Sequence, residues 1–461
     1  MELNETKGRI ESLKNKTTLT VQNLWDIFFF ENFLLRLSKS KYKDYFVFKG
    51  GFLLQNIVGI ESRTTMDIDL KVNSWQMDEK RLRDIIDDIC NLSIDNIEYK
   101  LMDISNIKAV TKYGGKTARI SAKYYNLKKI FSIDIGVGDV VTPSPINYEY
   151  KPIVAKDSFI LYSYPIETIL AEKIETTISK GTNNSRSKDL LDIYLLNKNG
   201  FDADMLNVAL INTFNRRGTK FDYLLLNDMI DILFSSNDVR TLYSSYQNKH
   251  QFASNVSFDM CKEAINDIFS KLVFEEKISI SDYGIELHLV RHGEYELNKV
   301  GGWTDDHLSS AGIKQIKSLK DLIDDKYDLF VSSDLVRAKE SATILNEKLN
   351  MDIVYDNGFR EINSGVLNNI TIDEIRKSPS MWIDYTKLKM DEAFPEGDSP
   401  NSFFNRVKQA FINLISNNIG KKILLVTHSG VITVILCLIN GYKYNNNLKI
   451  APNVGEVVRI K

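Results

Sequence analysis

Two short apolar runs, each ending in a histidine, constrain this chain most. Ile285 to Leu289 alternates and leads into Val290-Arg291-His292-Gly293-Glu294, and Ile423 to Val426 leads into Thr427-His428-Ser429-Gly430. Such runs read as β-strands. A strand ending in Arg-His presents a cation and an imidazole at its carboxyl end, where open α/β sheets hold their ligands. Two histidines so placed, the first beside an arginine, suit a phosphoryl group. Between and after them the pattern gives helix 311–323, strand 329–332, helix 335–349, helix 402–415 and helix 431–439. That alternation implies a three-layer α/β/α unit, with helices on both faces of a sheet.

Phosphoryl transfer needs a neutral imidazole to attack phosphorus, which makes His292 the candidate nucleophile. Arg291, Arg337 and His428 can neutralise the oxygens as charge develops. Arg337 sits in Ser332-Ser333-Asp334-Leu335-Val336-Arg337-Ala338, at a strand-to-helix junction. His250, His288 and His307 lack this context and read as structural. The stretch 285–461 resembles the histidine phosphatase superfamily, in its phosphoglycerate-mutase-like branch. The resemblance rests on Arg291-His292-Gly293-Glu294, Asn298, Gly302-Trp303, Leu308 to Gly312, Arg337, Glu361 with Gly365, Glu396-Gly397-Asp398-Ser399 and Thr427-His428-Ser429-Gly430. It implies that His292 carries a phosphohistidine and Glu361 donates the leaving-group proton. It makes Arg291, Asn298, Arg337 and His428 the phosphate binders, with no cofactor and a phosphorylated small molecule as substrate. Tyr295 stands where the family usually has threonine or serine, and Asn368-Asn369 where Glu-Gly is common. Phosphatase activity is expected ahead of mutase activity.

At 461 residues the chain is too long for one such core, and its first half carries a different chemistry. Phe46-Val47-Phe48-Lys49-Gly50-Gly51 reads as a strand, a tight turn and a helix start whose backbone N–H groups can approach a phosphate. Arg63 to Leu70 reads as a strand of period two that turns Asp67 and Asp69 to one face and Ile68 and Leu70 to the other. Phe131-Ser132-Ile133-Asp134-Ile135 is a third strand with one embedded acid. Three strand-borne carboxylates, Asp67, Asp69 and Asp134, suit Mg²⁺ (or Mn²⁺) beside a nucleoside triphosphate. Asp139 lies past two glycines and is expected in a loop.

Helix 166–180 places Lys173 inside its apolar stripe of Ile166, Ile169, Leu170, Ile174 and Ile178, with Glu172 and Glu175 on the polar side. A lysine there is snorkelling, paired in a structural ion pair, or working beside a phosphate site. Asp189, in the mostly apolar helix 188–196, is its expected partner. Between residues 104 and 133, Lys108, Lys112, Lys116, Arg119, Lys123, Lys128 and Lys129 occur with no acid, interleaved with Tyr113, Tyr124 and Tyr125. That run reads first as a solvated sheet face and second as a triphosphate or RNA surface. Helices 205–214, 224–234 and 259–274 carry no evident chemistry.

Residues 20 to 200 resemble the AbiEii-type nucleotidyltransferases of the polymerase-beta-like superfamily. The resemblance rests on Lys49-Gly50-Gly51, Arg63 to Leu70, Asp134, Glu167 to Lys173 and Arg186-Ser187-Lys188-Asp189-Leu190-Leu191-Asp192. It implies a mixed sheet followed by a helical subdomain, metal carboxylates at Asp67 and Asp69, completion of the site by Lys173 and Asp189, and a phosphate seat at Gly50-Gly51. It also implies toxin-like activity, with tRNA or an antitoxin among the partners. Phe52 departs from the small or hydroxyl residue often found at its position.

The expected organisation is a nucleotidyltransferase domain over 1–280 and a phosphatase domain over 284–461, joined near 275–284. A net charge of -2 offers no global attraction to nucleic acid or membrane. Cys90, Cys261 and Cys437 lack metal spacing and fit a reducing compartment. With no signal-peptide pattern and no spanning run, a cytoplasmic enzyme without a membrane partner is expected. Two alternatives stay open. Both domains could act on a small phosphorylated metabolite, or one could be idle and serve as a binding module.

Overall fold

The computed structural model describes residues 2–65, 67–72, 78–107, 114–183, 186–296 and 299–461. Two compact units divide the chain, Met1–Leu272 and Val273–Lys461. The boundary falls ahead of the expected junction at 275–284, because those residues are tied to the second unit. Phe274 bridges Tyr442, Glu275 N–H donates to Gly441 O at 2.9 Å, and Ile278 N–H donates to Leu438 O at 2.9 Å. A segment whose backbone bonds are satisfied this way is no free linker.

The first unit is built on a seven-stranded mixed sheet of β1 (Phe46–Lys49), β2 (Ile68–Val72), β3 (Ile97–Asn106), β4 (Gly115–Tyr124), β5 (Leu127–Gly136), β6 (Ile146–Tyr150) and β7 (Phe159–Ser163). The strand order is β3-β4-β5-β2-β1-β7-β6. Strands β2 and β5 run parallel, as do β1 and β7, while β1 and β2 are antiparallel. Helix Val21–Lys39 covers the sheet after a capping box between Thr20 and Asn23. Phe30 and Phe33 of that helix meet Phe131 of β5, with ring centroids 5.1 and 6.1 Å apart. Burying each such ring contributes about 2–3 kcal/mol.

Strand β2 starts at Ile68, so Arg63 to Thr65 and Asp67 lie outside it, rather than in the strand expected from Arg63. Arg63 turns inward to a buried acid, and Gln55 Oε1 accepts from Thr65 N–H at 2.9 Å. These side-chain bonds compete with strand pairing. Helix Ile166–Lys180 begins after Pro165 and stops at Gly181, whose φ is 50°. Helices Ser187–Asn199, Ala203–Arg217, Tyr223–Ser235, Asn237–Lys249 and Phe258–Ser270 complete the unit.

A buried acid fastens helix Val21–Lys39 to the loop after β6. Glu31 is fully buried and accepts from the N–H groups of Ile153, Val154 and Ala155 at 2.5, 2.9 and 2.7 Å, and from Tyr150 Oη at 3.2 Å. Burial lifts its pKa to about 7 while the backbone donors pull the other way.

In the second unit β8 (Glu286–Arg291), β10 (Leu329–Ser332), β11 (Ile353–Tyr355), β13 (Lys422–Thr427) and β14 (Val457–Ile460) form one sheet in the order β11-β10-β13-β8-β14, and β9 (Lys299–Val300) pairs with β12 (Ile370–Thr371) in a ribbon. Four strands are parallel and β14 is antiparallel. The inner strands are buried along nearly their whole length, which is why they read as continuous apolar runs. Helices Ser310–Leu319, Val336–Leu349, Pro400–Ser416 and Ser429–Asn440 accompany the sheet. Among the described residues no helix is long and apolar enough to cross a membrane.

Replacing Glu31 by Ala should strand three buried N–H donors. A loss of about 3 kcal/mol or more is expected in chemical denaturation followed on the first unit.

Candidate functional site

The first unit gathers its acids through sheet register. Lys49 pairs with Asp69 across β1 and β2, Asp69 with Asp134 across β2 and β5, and Thr117 with Asp134 across β4 and β5. Registered neighbours share a face, so Asp69 and Asp134 stand side by side. Asp67, exposed, directly precedes β2 on the same alternation, with Ile68 and Leu70 buried beneath. Burial raises the Asp69 pKa, Lys49 opposes this, and Asp134 and Asp67 add to it. Thr117 Oγ1 donates to Asp134 Oδ1 at 2.7 Å. Gly50, with φ 77°, lies against Asp69: a Cβ built on it would sit 1.9 Å from Oδ2. Helix Gly50–Val58 therefore starts on top of the carboxylates, and only glycine fits there. Gly51 follows against Thr65, 3.1 Å from where its own Cβ would be.

A second charged cluster lies on helices Ile166–Lys180 and Ser187–Asn199. Lys173 Nζ is 3.0 Å from Asp189 Oδ1 and 2.5 Å from Asp192 Oδ2. Arg63 Nε is 2.7 Å from Asp192 Oδ1, and Arg186 Nε is 3.0 Å from Asp189 Oδ2. Burial would raise Asp192, but Lys173 and Arg63 outweigh it and hold the carboxyl below its usual range. Lys173 thus has the expected partner in Asp189 and a closer one in Asp192. Tyr246, from helix Asn237–Lys249, which the sequence reading did not single out, stands close enough to feel Arg63 and Asp192, and burial pushes its pKa to about 12.

Helix Ile166–Lys180 departs from the sequence reading on its other side. Glu175 is 3% exposed and lies 2.7 Å from Arg217 Nη1. Glu172 lies 3.3 Å from Lys49 Nζ, which also reaches Asp139 at 2.7 Å. The helix carries charge on two faces because Arg217 and Lys49 arrive from distant segments. Asp139 is in a loop, as expected, and belongs to this network rather than to the Asp69–Asp134 row. Among the basic residues of 104–133, Lys116, Lys123 and Lys129 pair with Glu79, Glu98 and Asp26. Lys108, Lys112 and Tyr113 lie outside the described residues.

In the second unit β8 and β13 lie in parallel register with Thr427 opposite Arg291, which sets His292 beside His428 with ring centroids 5.0 Å apart. His292 Nδ1 is 2.7 Å from Gly293 O, an acceptor only, so Nδ1 carries the proton and Nε2 a free lone pair. Arg337 Nε approaches that Nε2 at 3.3 Å. Burial, then Arg337, lowers the His292 pKa to about 3, so the imidazole is neutral at physiological pH. His428 is also driven well down by burial, and its Nε2 is 2.8 Å from Ser333 Oγ. Arg337 is 2% exposed and spends its remaining donors on Gly302 O and Thr304. Among the described residues no carboxylate lies within ion-pair distance of it. The buried Nε of Arg291 and Nδ1 of His428 lack a partner among the described residues. Buried donors of this kind, beside a buried guanidinium, suit an anionic ligand.

Glu361 stands close enough to act on the Arg337 charge. Its carboxylate accepts from Ile362 N–H and Gly430 N–H, each at 3.1 Å, and a Cβ on Gly430 would sit 2.2 Å from Oε1. Its backbone O accepts from Trp303 Nε1 at 2.7 Å and from Arg406 Nη2 at 3.1 Å. The Trp303 ring lies 4.7 Å from Arg360 and 5.9 Å from Arg406. Tyr295 meets the edge of His292 and lies 5.0 Å beneath Arg337. Asn369 has φ 66°, a conformation that asparagine and glycine both tolerate, so its departure from the family's Glu-Gly preserves the turn. Asn298 lies outside the described residues. Ser333 and Arg406 escaped sequence reading, since neither stands in a distinctive run. His288 is buried between Tyr327 and Glu286, and His307 is exposed against Glu340.

Two predictions follow the charges. His292 and His428 bind a proton when unfolded below pH 6.5 but not when folded, so folding stability is lost as pH falls from 6.5 towards about 3. His292→Gln should flatten that dependence, by at most about 1.4 kcal/mol per pH unit, in denaturation profiles between pH 4 and 7 of roughly even spacing. Asp192→Asn leaves Arg63 and Lys173 sharing one remaining acid and should destabilise the first unit by about 3–5 kcal/mol in the same assay.

Comparison with known proteins now bears on both halves. Residues 32–264 match the family described as nucleotidyl transferase AbiEii toxin, type IV TA system, and residues 287–461 match the histidine phosphatase superfamily, branch 1. A relative described as "Probable phosphoglycerate mutase GpmB" from Escherichia coli O1:K1 is 30% identical over 149 residues, 31% of this chain and 69% of that protein. One of the same description from Yersinia pestis is 29% identical over 162 residues, 34% of this chain and 75% of that protein. The alpha-ribazole phosphatase of Shigella flexneri aligns with a TM-score of 0.30 and 24% identity, covering 33% of this chain and 78% of that one. The chain therefore belongs to the AbiEii nucleotidyltransferase family and carries, as its second unit, a domain of the histidine phosphatase superfamily.

Proposed function

We propose that the chain is a bifunctional enzyme. Its first unit transfers a nucleotidyl group from a nucleoside triphosphate, with tRNA as acceptor, and its second hydrolyses a phosphomonoester through a phosphohistidine on His292. The observation that carries this reading is the complementary charge of the two sites. One presents acids in register, Asp69 beside Asp134, and the other a buried guanidinium, Arg337, with no carboxylate in ion-pair reach among the described residues.

The acids of the first unit offer the donor chemistry that a divalent cation takes, although as placed their oxygens do not all lie within 4.8 Å of one another. Asp67, Asp69 and Asp134 supply hard oxygen donors, burial and then the neighbouring acids raise Asp69, and Gly50 removes the side chain that would crowd it. Those three residues would hold Mg²⁺ or Mn²⁺, which when bound supplies positive charge to the triphosphate. Gly50 and Gly51 expose backbone N–H groups at the helix start, where a phosphate is favoured. The Arg63–Asp192–Lys173–Asp189 network fixes the loop that carries Asp67 against the two helices. It positions the site rather than supplying free charge to it.

In the second unit the His292 Nε2 lone pair attacks phosphorus and the P–O bond to the leaving alcohol breaks. Glu361 in its protonated form delivers the proton to that oxygen. Water then attacks the phosphohistidine, Glu361 takes the proton back, and inorganic phosphate leaves. Arg337 occupies Nε2 only loosely, at 3.3 Å. An entering phosphoryl group offers its guanidinium charged oxygens, a stronger partner than a neutral imidazole, and so frees the nucleophile. Arg291 Nε and His428 Nδ1 gain acceptors in the same step.

Labelled nucleoside triphosphate incubated with tRNA, and separately with small phosphates, tests the first activity. Transfer to tRNA should fall by about 10³-fold or more in Asp69→Asn, a loss typical of removing a principal electrostatic contributor. Phosphomonoesterase turnover should persist in that variant and disappear in His292→Ala. Transfer that survives Asp69→Asn, or hydrolysis that survives His292→Ala, overturns the corresponding half.

A further inference from the structure

A cavity of about 420 Å³ opens beside Glu361, lined by loop 300–302, by 382–394 and by 429–448. Its size is that of a small-molecule site. Being continuous with the proton donor, it is where the leaving alcohol of a phosphomonoester would sit.

The walls are aromatic. Tyr385 and Phe394 stack with centroids 6.2 Å apart at 13°, and Tyr385 Oη is 2.7 Å from Tyr444 Oη. Tyr444 is in turn stacked on Phe404 at 5.1 Å, so the pair is braced from behind. Asn446 Nδ2 donates to the carbonyls of Tyr385 and Leu388 at 2.6 and 3.0 Å, which ties the loop bearing Tyr385 to the segment bearing Tyr444. Trp382, half exposed, stands at the rim.

The charge of the lining is the second observation. Among the described residues around this cavity there is no lysine, arginine or histidine, and the ionisable acids are Glu361 and Asp384. Asp384 Oδ1 accepts from Thr386 N–H at 3.0 Å, and its nearest cation is exposed Lys387 at 3.8 Å. Arg291 and Arg337 stand instead at His292. A leaving group with its own carboxylate or second phosphate would meet acids and ring faces there. A neutral planar group would meet stacking surfaces and neutral hydrogen-bonding groups.

Resting on the phosphatase reading, we propose that this site takes a phosphomonoester whose leaving alcohol is uncharged and bears a planar ring, of nucleoside size, rather than a phosphorylated carboxylic acid. The geometry that carries it is the juxtaposition of Glu361 with an aromatic, cation-free cavity.

Four alkyl esters of similar intrinsic reactivity test this with the full-length chain: a nucleoside 5′-monophosphate, glycerol 3-phosphate, 3-phosphoglycerate and phosphoserine. The nucleotide should exceed glycerol phosphate in kcat/KM by about tenfold, on the scale of one well-filled apolar contact. Glycerol phosphate should in turn exceed phosphoglycerate. Trp382→Ala should raise KM for the nucleotide with little change in kcat and leave glycerol phosphate unaffected. Asp384→Asn keeps an oxygen for Thr386 and should narrow the gap between glycerol phosphate and phosphoglycerate. Hydrolysis led by phosphoglycerate or phosphoserine, or a substrate order indifferent to both variants, overturns the substrate class while leaving phosphatase activity standing. Absence of turnover on all four overturns the phosphatase reading and this proposal with it.

Discussion

A buried guanidinium with no carboxylate in ion-pair reach among the described residues governs the second half of this protein. Arg337 is 2% exposed, and its donors reach carbonyls, a hydroxyl and an imidazole nitrogen. Its charge, added to desolvation, keeps His292 neutral and hence nucleophilic. The same uncompensated charge creates the demand for an anion, and the unpartnered Nε of Arg291 and Nδ1 of His428 add to it. The glycines of the site follow from the crowding. Gly302 lends its carbonyl to Arg337, and a Cβ on it would sit 1.7 Å from Ile362 O; Gly430 lends its N–H to Glu361.

The first half solves the inverse problem. Carboxylates in adjacent registered strands repel, and burial sharpens that repulsion for Asp69. Lys49 and Lys188 relieve it only in part. Lys49, on the same row, directs its ammonium to Asp139 and Glu172. Lys173 and Arg63 are committed to Asp189 and Asp192. These pairings neutralise the surroundings and leave the Asp69–Asp134 row as the place where positive charge is wanted. The ion pairs are therefore part of the site's electrostatic design, even though such pairs contribute modest net stability.

Much of this was legible because the chemistry lies where periodicity breaks. His292 and His428 end apolar strands, Lys173 interrupts an apolar stripe, and Asp134 interrupts a buried strand. Helix Ile166–Lys180 and strand Leu329–Ser332 have the limits that their patterns imply. Sequence misread the places where a distant partner overrides local pattern. Arg63 looked like part of a strand until Asp192 drew it inward, and Glu175 looked solvated until Arg217 reached it. The junction was expected near 275–284, inside what is in fact the second unit, because the backbone partners of Glu275 and Ile278, near 438–441, stand far off in the chain.

Sequence by itself determined which residue types are available to each chemistry, and on which face of its own strand or helix each one stands, because those follow from the fixed periods of regular backbone. Only the tertiary structure decided which of them meet. Strand register set Asp69 beside Asp134 and His292 beside His428, and packing of the 382–394 loop against 429–448 made an aromatic cavity next to Glu361. Register and loop packing are settled by the burial of many side chains at once, an interaction among remote segments that no local pattern encodes.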